Sequence, residues 1–244
     1  MEELFTLDKI LLSNNVVENF YNNYKNEKFK EYLLSVLPEV ENCRTQKQDN
    51  PWHIYNCLDH ILHSVEEMNK LTKGYDLNTR RMLAYTMFLH DIGKPECYIR
   101  RFSKLYNKKV DSFFYHNLAS EKIAKRVLSK FNFNNQEQSV IELLIHEHDV
   151  FIDIKLNSVQ NKHQKLLTND LLNEMADKYN SVGDGQEVLG YLFMVGRADN
   201  LAQNPKMTKD SLHMLDVMDS MLESIKNQSA CILNKTKKTT KNNL

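Results

Sequence analysis

Six side chains in this sequence have the types and spacing to hold metal ions: His60, His90, Asp91, His116, His148 and Asp199. In "YTMFLHDIGKPE" (85–96), His90 and Asp91 close an apolar run. A buried imidazole beside a buried carboxylate costs several kcal/mol unless a partner compensates both. A cation does so, and the rest of the chain supplies further ligands. His60 follows His53 and Cys57 and precedes Ser64 on a line that flanks an apolar stripe. His148 continues Ile141, Leu144 and Ile145 at i, i+3, i+4, i+7 spacing, and His116 opens a line running through Ser120, Ile123 and Val127. Asp199 lines up with Leu192 and Val195 on the buried side of a mostly apolar segment. Mixed imidazole and carboxylate ligands suit Mn, Fe, Ni, Co or Zn, and Mg is compatible with the carboxylates. Six ligands can hold one or two divalent ions, with Asp91 as the bridge.

Neighbouring candidates are excluded by the same geometry. His63 lies with Asp59, Glu66 and Glu67 on a polar face, and His146 shares a face with Glu142 and Asp149. On a helix, His146 and His148 stand roughly 200° apart, so only one serves a given site. Asp149 forms a second His-Asp pair with His148, but the expected helix turns it outward.

The elements that must position these residues read as helices. Gly (6) and Pro (4) are scarce in 244 residues, which disfavours an all-β fold. Helices are expected over 3–37 (one or two, broken in "NNYKNEKFK" and ended near Pro38), 52–72 (opened by Pro51), 78–91, 117–131, 136–149, 167–180, 187–203 and 207–227. Gly93 is placed as a left-handed helix stop, and 94–115 as a charged loop. The fold class is all-α, a helical bundle around a buried metal site. The organisation is an N-terminal helical extension (1–47), a catalytic domain (48–227) and a disordered Lys-rich tail (228–244). That tail holds four lysines and no acid.

Thirty-two basic residues balance thirty-two acidic ones, so no global field points to nucleic acid. No apolar run approaches the roughly 20 residues that span a bilayer, and the N-terminus lacks the pattern of a secretory signal. The four cysteines show no metal or redox spacing. A cytoplasmic setting with free thiols and no membrane partner is expected.

In order and spacing these residues resemble the HD superfamily of metal-dependent phosphohydrolases, whose motif H…HD…D maps onto His60, His90-Asp91 and Asp199. Within it the chain is most similar to the HD domain that follows the nucleotidyltransferase head of bacterial CCA-adding enzymes. The stretches that carry the likeness are "DNPWHIYNCLDHILHSVE", "FLHDIGKPE", "FFYHNLASEKIAKRVL" and "LIHEHD", over about residues 48–203. Only about fifty residues precede the likeness, so the head is expected to be missing, and Tyr115 stands where that family has glycine.

The resemblance implies a helical HD fold, a mono- or dinuclear centre, and attack of activated water on a nucleotide or related phosphoester; an RNA end is a further substrate. Asp91 and Lys94 are the expected catalytic residues, with Lys94 stabilising phosphate charge at the mouth of the site. Lys94, Arg100, Arg101 and Lys104 are expected to bind substrate. Trp52 and His53 could stack on a base, although core packing is the plainer role for Trp52. Two alternatives stay open: a metal- or nucleotide-binding HD module without turnover, and a di-iron HD oxygenase with the same ligands.

Overall fold

The computed structural model describes residues 2–241, with side chains described through 228. Eleven α-helices dominate these residues: α1 (Glu2–Leu11), α2 (Val16–Tyr24), α3 (Glu27–Val36), α4 (Glu39–Thr45), α5 (Cys57–Leu71), α6 (Leu77–Leu89), α7 (His116–Val127), α8 (Asn135–Glu147), α9 (Asn169–Tyr179), α10 (Gly185–Leu201) and α11 (Lys209–Lys241). The side chains of 229–241 and residues 242–244 lie outside the described part; the backbone of 228–241, expected as a disordered tail, continues α11.

Sequence-local chemistry explains most helix starts. Asn26, Asn56, Asp76, Thr168 and Asp184 each accept a hydrogen bond from a backbone N–H of the first turn, and Asn134 forms a reciprocal capping box with Glu137. Such caps contribute about 1 kcal/mol each. One hydrophobic core runs through α1–α11, so the N-terminal helices share it with the helices that bear the expected ligands. At its centre α6 is buried from Met82 through Leu89, and α5 and α10 pack against it. Among the described residues, no helix is long and apolar enough to cross a membrane.

Four expectations are corrected. The N-terminal region forms four short helices, because Ser13–Asn15 breaks the chain before α2 and Pro38 precedes α4. The second expected helix begins at Cys57, not at 52. Asn50 Oδ1 accepts from the N–H groups of Trp52 and His53, which turns the chain there and leaves Asn56 as the cap. The segment 94–115 is not a plain loop: a 3-10 turn at Lys94–Cys97 leads into the antiparallel hairpin β1 (Ile99–Ser103) and β2 (Lys108–Ser112). A second, parallel pair of two-residue strands joins β3 (Ile154–Lys155) to β4 (Lys165–Leu166).

Finally, Gly93 has φ −84°, so its role is not a left-handed stop. A Cβ there would lie 2.5 Å from the Ser120 backbone nitrogen and 2.7 Å from Ala119 Cβ. The glycine lets the turn after α6 touch the backbone of α7, and its N–H donates to Ser120 Oγ at 2.9 Å.

Candidate metal centre

Five helices converge on one carboxylate. His60 projects from α5, His90 caps α6 with Asp91 in the following turn, His116 is the first residue of α7, His148 caps α8, and Asp199 lies in the last turns of α10. All six expected ligands are therefore brought together. Asp91 is 1% exposed and stands in the middle. Its Oδ2 is 3.1 Å from His60 Nε2 and 3.3 Å from His90 Nε2, while Asp199 Oδ1 lies 2.9 Å from the same His60 atom. On the other side, Asp91 Oδ1 is 3.0 Å from His116 Nε2 and 3.7 Å from His148 Nε2. Each oxygen of Asp91 thus faces a different pair of imidazoles. Within each of the sets His60, His90, Asp91, Asp199 and Asp91, His116, His148, the ligand atoms lie within 4.8 Å of one another.

The rings are oriented for coordination. His90 Nδ1 donates to Met87 O at 2.7 Å, His116 Nδ1 to Phe113 O at 2.8 Å, His148 Nδ1 to Ile145 O at 2.7 Å, and the longer His60 contact reaches Ala202 O at 3.4 Å. A backbone carbonyl on Nδ1 takes the proton of that nitrogen and turns Nε2 inward, the usual support of a metal-bound histidine. His60 Nε2, His90 Nε2 and Asp91 Oδ2 are buried without an aligned hydrogen bond, although they approach one another at ion-pair distances. Such convergence of unsatisfied donor atoms fits a cation. The six residues fit one or two divalent ions.

Electrostatics points the same way. Burial opposes charge throughout, yet His90 and Lys94 hold the Asp91 carboxyl well below the usual range, and His60 and His90 do so for Asp199. Against its own burial, the His90 imidazole is raised to about 10 by Asp91 and Asp199. His116 is raised by Asp91 despite burial, whereas burial pushes His148 down.

Lys94 is not at the mouth of the site as expected. It is 4% exposed, with Nζ 2.5 Å from Asp91 Oδ2, and it donates to Gln48 Oε1 at 3.0 Å. Its third neighbour is His53 Nε2 at 3.1 Å; His53 Nδ1 in turn contacts Asn50 Oδ1, and burial with Lys94 holds this imidazole well below its ordinary pKa. Gln48 and His53 reach the centre because the loop before α5 is pinned at both sides. Asp111 of the hairpin accepts from Asp49 N–H at 2.8 Å, and Asn204 after α10 donates to the carbonyls of Trp52 and Pro51. The buried thiols of Cys43 and Cys57 point to the carbonyls of Ile92 and Asp91.

The basic hairpin residues are arranged differently from one another. Arg100 is clamped by Asp111 at 2.6 Å and Asp49 at 2.8 Å, Arg101 stacks on Phe114 and donates to Ser112, and Lys104 is exposed at the hairpin tip. Trp52 is 40% exposed and does not pack in the core. His63 and His146 pair with Glu66 and Glu121, away from the centre.

Asp149 corrects the sequence reading. Its Oδ2 is 3.5 Å from His116 Nε2 and its Oδ1 3.7 Å from His148 Nε2, so it faces the centre. The helical wheel turned it outward, but α8 ends at Glu147 and Asp149 belongs to the turn before a short 3-10 segment, Val150–Asp153. His53 and Gln48 were missed as neighbours of Lys94 for the same reason. Both precede α5, where no helical period applies. Compared with family models and with curated proteins, the chain matches none.

Proposed function

We propose that the chain is a metal-dependent phosphohydrolase of the HD type, acting on a nucleotide or related phosphoester by attack of water on phosphorus. The observation that carries this reading is the set of four imidazoles whose Nδ1 atoms face backbone carbonyls while every Nε2 turns to Asp91. Divalent ions held there supply Lewis acidity, lowering the pKa of water and polarising a phosphoryl oxygen. His60, His90 and Asp199 would hold one ion, His116 and His148 the other, with Asp91 between them.

The chain's own residues set up the rest. Lys94, fixed by Gln48 and His53 beside Asp91, keeps an ammonium at the edge of the centre, where it offsets negative charge that gathers on a phosphoryl group. Exposed Arg101 and Lys104 lie on the hairpin that follows Lys94 in the chain and add positive charge that raises the local concentration of an anionic substrate. Arg100 serves by tying that hairpin to the loop that carries Gln48 and His53. This Lys94 cation beside the ligand set favours hydrolysis over an oxygenase or a module without turnover.

The test is product release from a panel of nucleoside monophosphates, 2′,3′-cyclic nucleotides and RNA ends, using metal-stripped protein resupplied with Mn²⁺, Ni²⁺, Co²⁺ or Mg²⁺. Turnover is expected only with metal, and Asp91→Ala, which removes the carboxylate shared by both pairs of imidazoles, should lower it by at least about 10³-fold with helix content unchanged. Metal-independent turnover, or an Asp91→Ala protein of full activity, would sink the assignment.

A further inference from the structure

We infer that Asp149 is a ligand for the second ion, the counterpart of Asp199 on the opposite side of Asp91. This rests on the reading of the centre as a metal site and extends it.

Asp91 divides the cluster in two. Facing its Oδ2 are two imidazoles, His60 and His90, and a terminal carboxylate, Asp199, whose Oδ1 is 2.9 Å and 3.6 Å from their Nε2 atoms. Facing its Oδ1 are two more imidazoles, His116 and His148, and the carboxylate of Asp149, with one oxygen toward each Nε2 at 3.5 Å and 3.7 Å. The two halves therefore carry the same donor set of two imidazoles, one terminal carboxylate and one oxygen of the shared carboxylate.

The second half also has a close contact that a cation resolves. His116 and His148 bring their Nε2 atoms to 3.1 Å from each other, while each Nδ1 lies against a backbone carbonyl, the contact of a donated N–H. With those protons so placed, both neutral rings present lone pairs across that gap. A proton between them charges one imidazole; a divalent ion resolves the contact without it. Charge counts in favour of the third carboxylate as well. Two divalent ions bring four positive charges, and Asp91, Asp199 and Asp149 together bring three negative ones.

Local structure makes the placement firm. Gly196 of α10 lies where a Cβ would come within 2.7 Å of the Phe151 ring, so the turn that holds Asp149 seats directly on the helix that holds Asp199. Asp149 makes no side-chain cap to the 3-10 segment it precedes, which leaves its carboxylate free of that local task.

The experiment uses the full chain, stripped with chelator and titrated with Mn²⁺ alone, with no substrate. Calorimetry and metal analysis should find two ions per wild-type chain, and electron paramagnetic resonance should show the exchange-coupled signal of an Mn²⁺ pair. In Asp149→Asn the first ion should bind as before, the second should weaken by about tenfold or more, and the coupled signal should give way to that of isolated Mn²⁺. Asp149→Ser, with the same readouts, replaces it if the asparagine variant folds poorly by circular dichroism. Two ions of unchanged affinity in a folded variant would overturn the inference, as would a single ion in the wild type. Loss of turnover with both ions retained would overturn it while leaving the phosphohydrolase reading intact. A pair of ions that needs Asp149 in a protein without phosphoesterase activity would do the reverse.

Discussion

The two halves of the centre share donor types but not surroundings. On one side His60, His90 and Asp199 have side chains 1%, 0% and 13% exposed; on the other His116, His148 and Asp149 are 12%, 1% and 36% exposed. The closed half is built from residues on or at the ends of long core helices, α5, α6 and α10. The open half is built from the first residue of α7 and from the turn that ends α8, and its Asp149 is the most exposed of the six side chains. The difference predicts that an ion bound in the closed half would exchange more slowly than one bound in the open half. Ligands locked by packing bind without reorganising, whereas ligands on helix ends depend on how those ends are seated.

That dependence can be broken at Gly93. A methyl group at this position has no room against Ser120 N and Ala119 Cβ, and the neighbours are backbone and a short side chain that cannot swing away. Gly93→Ala should push α7 outward and carry His116 with it. Overpacking of this kind costs about 1–3 kcal/mol, here roughly 5 °C in melting temperature for a chain of this size. A Mn²⁺ titration should show the open half losing affinity more than the closed half. Equal losses in both halves, in a protein that melts lower, would mean that the seat of α7 does not set the difference.

The halves also differ in protonation. His90 in the closed half is raised to about 10, against an unfolded value near 6.5, while His148 in the open half is held down by burial. In metal-stripped protein the stabilisation from the His90 imidazolium is fully present below about pH 6.5 and is lost as pH rises through about 10. The depressed carboxyls act in the opposite sense: Asp91 and Asp199 contribute above about pH 4 and lose that contribution on acidification. Metal must displace the His90 proton. First-ion affinity should therefore rise by about tenfold per pH unit between pH 7 and 9, with about one proton released per ion. Calorimetry at pH 8 in two buffers of different ionisation enthalpy measures that proton. A buffer-independent heat would show that His90 is already neutral.

The same division governs how much of the molecule was legible. Helical period placed His60, His90 and Asp199 correctly because α5, α6 and α10 are regular where these residues sit, and His148 because it caps α8 in helical geometry. The period failed one residue later, at Asp149, and it gave neither Gln48 nor the contact of His53 with Lys94, because turns obey hydrogen-bond chemistry and not a repeat. Asn50 forming a turn ahead of Asn56, and the hairpin in place of a loop, were within reach of turn and strand signals. The close approach at Gly93 was not, since it is a contact with α7 that lies 27 residues away in the chain.

The smallest effect belongs to Tyr115, whose backbone sits at φ 64°, ψ 19° immediately before His116. A side chain in this left-handed region costs about 1 kcal/mol, and glycine relieves that cost while returning part of it as entropy of the unfolded chain. Because the Tyr115 ring is 76% exposed, its loss removes little packing. Tyr115→Gly should therefore raise the melting temperature by about 1–2 °C and leave both Mn²⁺ affinities unchanged. The informative alternative is a more stable protein that binds the second ion less well. That pairing would mean the strained backbone holds His116 in place, so that the open half gains its geometry from strain where the closed half gains it from packing.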